Sequence, residues 1–262
     1  LAIVNLVVVL GTIAWNYGAN AIGVAGNTVG SLSDQYNALF TPAGYAFSIW
    51  GLIFLGLVAN GVYLAWSAFS QAPGGGASSD TILRMVPPLV VANLANCAWI
   101  WLWLTERTGL SLVAMAVILF SLGVVIVRLD IARWNAPMAT IAWLWWPAAI
   151  YAGWIVVASI ANAAAYLSKV GWLHESNEVG WTVAMIVLAT VVDLTMVLWR
   201  NLREVAGVGI WALVAISVRH AGEIPTIAVA AGIGAGVLAL VVVAHAYQNR
   251  ATLPGVGRPG RP

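Results

Sequence analysis

Any chemistry in this chain would have to come from rings and carboxamides. There are 15 tryptophans, and several stand at helical spacing from one another and from asparagine. Trp50 and Phe54 are four apart. Asn96, Trp99 and Trp103 fall at i, i+3 and i+7. Trp154, Ala158 and Asn162 fall at i, i+4 and i+8, with Tyr151 three before Trp154. Each set therefore shares one helix face. Rings stack, alanine leaves room and an amide orients a polar group, so such a face can border a pocket for a flat apolar molecule. The competing use is packing between membrane helices, where small residues and asparagine act as glue at about 0.6–2 kcal/mol per hydrogen bond. For any one of these residues alone, packing is the preferred reading. Three such faces in one chain bring a ligand cavity level with it.

Other chemistries find little support. Asp193 lies inside an apolar run, "LATVVDLTMVLW". A carboxylate there costs about 2.5–3.5 kcal/mol on insertion scales, so it should face the bundle or water and find a partner. A proton or cation site is one reading. The preferred one is a neutral acid, or an acid hydrogen-bonded to Asn162, Ser217 or Thr195. His174 falls in a loop and His220 at a helix end, where solvated or capping roles are expected. His245, near the end of the last apolar run, could ligate a metal, but a lone histidine is weak evidence. Cys97 is the only cysteine, which excludes an intrachain disulfide, and it reads as a small buried hydrophobe. No HExxH, CxxC, nucleophile–base spacing or phosphate loop occurs, so no catalytic or metal residue is assigned and an enzyme ranks last. "GIGAG" at 232–236 lies in an apolar run with no strand before it and reads as close helix packing.

The elements that must position these groups follow from composition. Of 262 residues, 62% are hydrophobic and only 8% charged, against roughly 25% charged in soluble domains. The solvent for such a chain is a bilayer. A net charge of +2 is too small to argue for nucleic acid. A helix needs about 20 apolar residues to cross. Segments near 2–22, 46–68, 86–104, 109–128, 138–166, 180–199 and 224–247 qualify, and a shorter one at 205–220 is expected to cross as well. All must be helices, because lipid cannot satisfy open backbone groups. The first has no basic n-region and no A-x-A-like site before a polar domain, so it reads as a span and not as a signal peptide. Span 138–166 is too long for the bilayer and should tilt or project. Residues 69–84 read as a flexible tether, 167–179 as a surface loop and 248–262 as a basic, unstructured tail. With eight spans, Arg84, Arg128, Arg133, Arg200, Arg203, Arg250, Arg258 and Arg261 share one face, while Arg107, Lys169 and Arg219 take the other. The first face is expected to be cytoplasmic, with both termini inside and loop 23–45 outside.

Three segments, "YNALFTPAGYAFSIWGLIFLGL", "NLANCAWIWLW" and "IYAGWIVVASIAN", resemble the signature segments of the tryptophan-rich sensory protein / translocator protein family (TspO/MBR). That family's second-helix V-W-x3-Y-like motif reads here as Ile49, Trp50 and Phe54. Its third-helix N-x2-W reads as Asn96 and Trp99. Its fifth-helix P-Y-x2-W-x3-A-x3-N is matched in register by Tyr151, Trp154, Ala158 and Asn162. Ile150 replaces the family proline before the tyrosine, Ser48-Ile49 replaces Gly-Pro, and Gly44 stands where the loop usually ends in tryptophan. The resemblance covers about 1–167 and implies a five-helix membrane core. Residues 168–179 then form a loop, and 180–247 add about three further spans to an all-α polytopic bundle. It also implies a cavity lined by Trp50, Phe54, Asn96, Trp99, Tyr151, Trp154, Ala158 and Asn162, roofed by a lid carrying Tyr36, Phe40, Pro42 and Tyr45. The guest implied is a tetrapyrrole of porphyrin, haem or chlorophyll type.

Three roles are weighed. The first is a sensory or carrier protein for a flat apolar ligand. The second is an accessory subunit of a larger membrane complex, one that holds pigment or lipid. The third is a secondary transporter, hinted at only by Asp193. The expected partners are the bilayer, the flat ligand, and copies of the chain or a larger complex, with a bacterial inner membrane as the setting.

Overall fold

The computed structural model describes residues 1–70 and 76–249. Of the tether expected at 69–84, residues 71–75 lie outside the described residues while 79–84 are helical; of the tail expected at 248–262, residues from 250 onward lie outside them. The fold is all-helical. Helix α1 is Ala2–Ile22, and the short α2, Val29–Tyr36, follows it. A 3-10 turn, Gly44–Ser48, leads into α3, Ile49–Phe69. Then come α4, Ser79–Leu104; α5, Thr108–Arg128; the brief α6, Met138–Thr140; a π-helical stretch, Ile141–Trp145; and α7, Trp146–Lys169. Helices α8, Glu178–Arg200; α9, Arg203–His220; and α10, Pro225–Gln248, complete the chain. The expected polytopic helical bundle is thus what the chain forms.

Local chemistry explains the boundaries. Thr28 and Ser31 form a reciprocal capping box that starts α2, and Asn37 ends it in the left-handed region at φ 42°. Helix α4 begins seven residues before the expected start at 86. Ser78 accepts from the Thr81 N–H there, and Asp80 sits in the first turn, paired with Arg84 at 2.8 Å. A hydropathy reading misses this turn because it is polar. The π stretch comes directly before Pro147, which has no N–H to give the carbonyl of Trp143 four residues back. Asn60 on α3 supplies the missing donor: its Nδ2 lies 2.8 Å from that carbonyl oxygen. The long fifth span therefore bends its backbone bonding, and a side chain of another helix completes it.

Contacts between helix ends fix the crossing direction of each element. The α1 end, loop 23–48, the α4–α5 turn and the α7–α8 loop meet on one face. Asn27 donates to the Leu104 carbonyl, Lys169 to the Glu106 carbonyl, and Glu178 accepts from Leu39 N–H. The α5 end and the α8–α9 turn meet on the opposite face, where Arg200 donates to the Ile126 carbonyl and Asn201 to the Ala132 carbonyl.

Among the described residues, seven helices are long and apolar enough to cross a membrane. Helix α9, which carries Arg203, Glu204 and Arg219, is not among them, yet it traverses the bundle. It leaves the α8 end on one face and reaches the Ala38 and Thr41 carbonyls through Arg219 on the other. Its 18 residues span about 27 Å. Charges confined to its end turns, and tight burial among α7, α8 and α10, let so polar a helix cross. Residues 1 and 249 accordingly end on one face, together with Arg84, Arg128, Arg133, Arg200 and Arg203.

Close backbone approach holds the C-terminal helices to the core. A Cβ at Gly153 of α7 would meet the Val205 Cα and carbonyl oxygen of α9 at 3.0 Å. On α10, a Cβ at Gly234 would meet Thr190 Oγ1 of α8 at 2.8 Å, so part of the GIGAG stripe is used within the chain.

Candidate ligand cavity

The rings of α3, α4 and α7 converge on Trp50. Its ring stacks on Phe54 at 5.3 Å and on Trp99 at 6.4 Å between centroids, and meets Tyr151 and Trp154 edge-on at 6.0 and 6.4 Å. Tyr17 of α1 extends the ladder beyond Phe54, and Trp103 extends it beyond Trp99. Such offset and edge-to-face pairs are the favoured ring geometries.

Beside this ladder, under loop 29–48, lies a cavity of about 760 Å³. Its walls include Trp50, Phe54 and Trp99 from the ladder, Asn16 and Tyr17 from α1, and Ser33 and Asp34 from α2. Thr41, Pro42 and Phe47 roof it, and Arg219 of α9 closes its rim. A tight recess of about 50 Å³ continues it downward between Trp103, Trp154, Ala158 and Asn162. The floor is apolar and aromatic, while the rim is polar.

Two donors at this recess are unmatched. The indole N–H groups of Trp103 and Trp154 are buried without a partner, which is unusual, since buried donors are nearly always paired. The Trp99 indole is satisfied: its Nε1 donates to Asn162 Oδ1 at 2.8 Å, and Asn162 Nδ2 donates to Ser111 Oγ at 2.9 Å.

The residues singled out from the sequence divide into wall and support. Trp50, Phe54, Trp99, Trp154, Ala158, Asn162 and Pro42 line the cavity or its recess. Asn96 and Tyr151 stand one layer behind. Asn96 accepts from Asn16 Nδ2 at 2.8 Å, and Tyr151 is buried against the back of Trp50. Phe40 is wholly buried and anchors the lid from beneath. Tyr36 pins the end of α2. Its hydroxyl donates to Glu106 at 3.0 Å, Lys169 lies over its ring at 5.7 Å, and burial with the Glu106 carboxylate pushes its pKa up to about 12. It is therefore a neutral donor at any physiological pH. Tyr45 points away from the cavity, 45% exposed, with its ring against Trp211 at 5.3 Å.

Other wall residues were not foreseen. Asn16 and Asn20, four apart beside Tyr17, repeat the amide–aromatic pattern and were available to the same reading. Arg219 gave no such sign, because its role depends on contact with a segment far away in sequence. It donates to the Ala38 and Thr41 carbonyls at 3.2 and 2.6 Å and to Asn37 Oδ1 at 2.7 Å. His220, expected to be solvated or capping, is buried and donates to the Leu39 carbonyl at 2.8 Å.

Asp193 faces into the bundle without the hydrogen-bonded neighbour that one of its two readings called for. Neither carboxyl oxygen has a hydrogen-bond partner, and the residue is 0% exposed. The three candidates are engaged elsewhere: Thr195 with the Val191 carbonyl, Ser217 with that of Ala228, and Asn162 as above. The carboxyl instead fits the hollow over Gly209, the space a Cβ there would fill. His245 lies near the end of α10 on the opposite face, away from the cavity walls. Among the described residues no cluster of three metal-ligating side chains occurs.

Fold and cavity together define a polytopic helical membrane protein with an aromatic-walled chamber under loop 23–48. The family model described as TSPO-like protein matches residues 2–244, and the chain belongs to that family. The match takes in α8, α9 and α10 as well as the five-helix portion that carries the signature segments. No curated protein and no solved structure matches the chain.

Proposed function

We propose that the protein is a non-enzymatic sensory or carrier protein that binds a flat apolar, tetrapyrrole-like molecule in the cavity beside Trp50. The observation that carries this reading is the pairing of a cavity of about 760 Å³ with a continuous ring ladder along one wall. Ring faces provide broad contact with little rotamer entropy to lose, which favours a rigid planar guest. The unmatched N–H groups of Trp103 and Trp154 give such a guest a place for an acceptor atom.

The accessory-subunit reading drew on the glycine stripe of α10, and Gly234 is used inside the chain. The transporter reading drew on Asp193, which lines neither the cavity nor its recess. Both therefore rank below binding. The face carrying Arg84, Arg128, Arg133, Arg200 and Arg203 is assigned to the cytoplasm of a bacterial inner membrane, by the excess of basic residues there.

Protoporphyrin added to the purified protein is expected to quench tryptophan fluorescence saturably. Ala158→Leu, which fills the recess with apolar atoms, should weaken that binding about ten-fold or more. Trp154→Ala should abolish quenching while retaining helical circular dichroism. Equal titration curves for wild type and both variants would refute the site.

A further inference from the structure

We infer that the guest reaches the cavity sideways from the bilayer, through a groove between α3 and α9, with the 3-10 turn Gly44–Ser48 as the door. The inference rests on the binding reading above and adds the route.

A second void, of about 550 Å³, lies on the outer surface of the bundle. Its floor is Trp146 and Ile150 of α7; its sides are Ile49 and Leu52 of α3 and Gly207 and Trp211 of α9, with one polar wall group, Glu204, which accepts from Trp146 Nε1 at 3.1 Å. Leu52 and Trp211 are 53% and 39% exposed, so the groove faces lipid tails. Gly207 leaves it open, since a Cβ there would meet nothing within 4 Å. This groove and the cavity share one wall residue, Ser48. The next two residues confirm how thin the partition is: Ile49 lines the groove and Trp50 the cavity.

The partition is built to move more readily than a helix. A 3-10 turn has poorer hydrogen-bond geometry than the α-helix that follows it. From outside it is held by α9: Trp211 Nε1 donates to the Ala46 carbonyl at 3.1 Å, Ala43 N–H donates to the Ala215 carbonyl at 3.3 Å, and the Tyr45 ring rests on Trp211. The outer roof is fastened more firmly, by Arg219, His220 and Glu178 on residues 37–41. A flat apolar molecule partitions into lipid tails, so its local concentration is highest where the groove opens.

A doorway changes rates and leaves affinity alone. The test uses the full chain in phosphatidylcholine vesicles, with protoporphyrin delivered from a second vesicle population and tryptophan quenching followed by stopped flow. Gly207→Trp, which plugs the groove, should slow association and dissociation together about ten-fold at unchanged Kd. Trp211→Phe, which removes one bond from the door, should speed both by roughly 2–10-fold. Unaltered rates in both variants, or a changed Kd in Gly207→Trp with unchanged dissociation, would overturn the route. Absence of saturable quenching in the wild type would instead fail the binding reading, and the route with it. Loss of affinity in Ala158→Leu with normal rates through Gly207→Trp would uphold the cavity and reject the door.

Discussion

Asn60 shows how one side chain can complete a helix to which it does not belong. Proline at 147 leaves the Trp143 carbonyl without a donor, and the Asn60 amide takes that place while its oxygen accepts from Asn5 at 3.4 Å. Asn60→Leu should destabilise the protein by about 1–2 kcal/mol, read from thermal unfolding in detergent. Pro147→Ala, which returns an N–H to the helix, should remove most of that loss in the double variant. The two idle indole donors lead to a second expectation. A planar guest with peripheral carbonyl or carboxylate groups should outcompete a polycyclic hydrocarbon of similar area by roughly ten-fold or more in displacement titrations, since each buried donor left unpaired costs about 1–3 kcal/mol. At this scale the sequence revealed residue faces but not depth. Spacing placed Trp99 and Asn96 on neighbouring positions of α4, yet one forms the wall and the other braces it. The difference lies in which neighbouring helix each residue meets, and periodicity within one helix carries no information about that.

Glycine sets how near the elements come. At Gly153 the α9 backbone is so close that Gly153→Ala must force α7 and α9 apart, and a loss of about 1–3 kcal/mol is expected in reversible unfolding. Gly207→Ala, on the open groove side of the same helix pair, should leave stability within about 0.5 kcal/mol of wild type. Most helices could be read directly from apolar length, because lipid imposes that length on any crossing segment. Helix α9 was legible for a different reason: polar turns bracket a short apolar run. Two features escaped. Helix α2 is polar, and its capping box, Thr28 with Ser31, was the only local sign of it. The first turns of α4 hide for the same reason, since Ser78 and Asp80 nucleate a helix that hydropathy cannot register.

Over the whole molecule, the basic residues sort by face. If the crowded face is cytoplasmic, a protease site appended after residue 262 should be cut in inverted vesicles and spared in intact spheroplasts. The reverse pattern would invert the assignment. The first five spans carry the ring ladder, and the last three hold the roof above it. Arg219→Gln should therefore speed hydrogen exchange in residues 37–41 while leaving α3 and α4 protected, because it releases the carbonyls of Ala38 and Thr41 and the side chain of Asn37, all within that segment.

That division of labour has a consequence for how the protein is made. Translation delivers the chamber first and most of its fastenings late, for Trp211, Arg219 and His220 emerge only after six of the eight crossings have left the ribosome. A nascent chain halted before α9 would own every ring of the ladder but, of the side chains that hold the roof, Glu178 without Trp211, Arg219 or His220. On the proposed reading, such an intermediate should release a planar guest as freely as it takes one up, so retention begins only when synthesis is nearly complete.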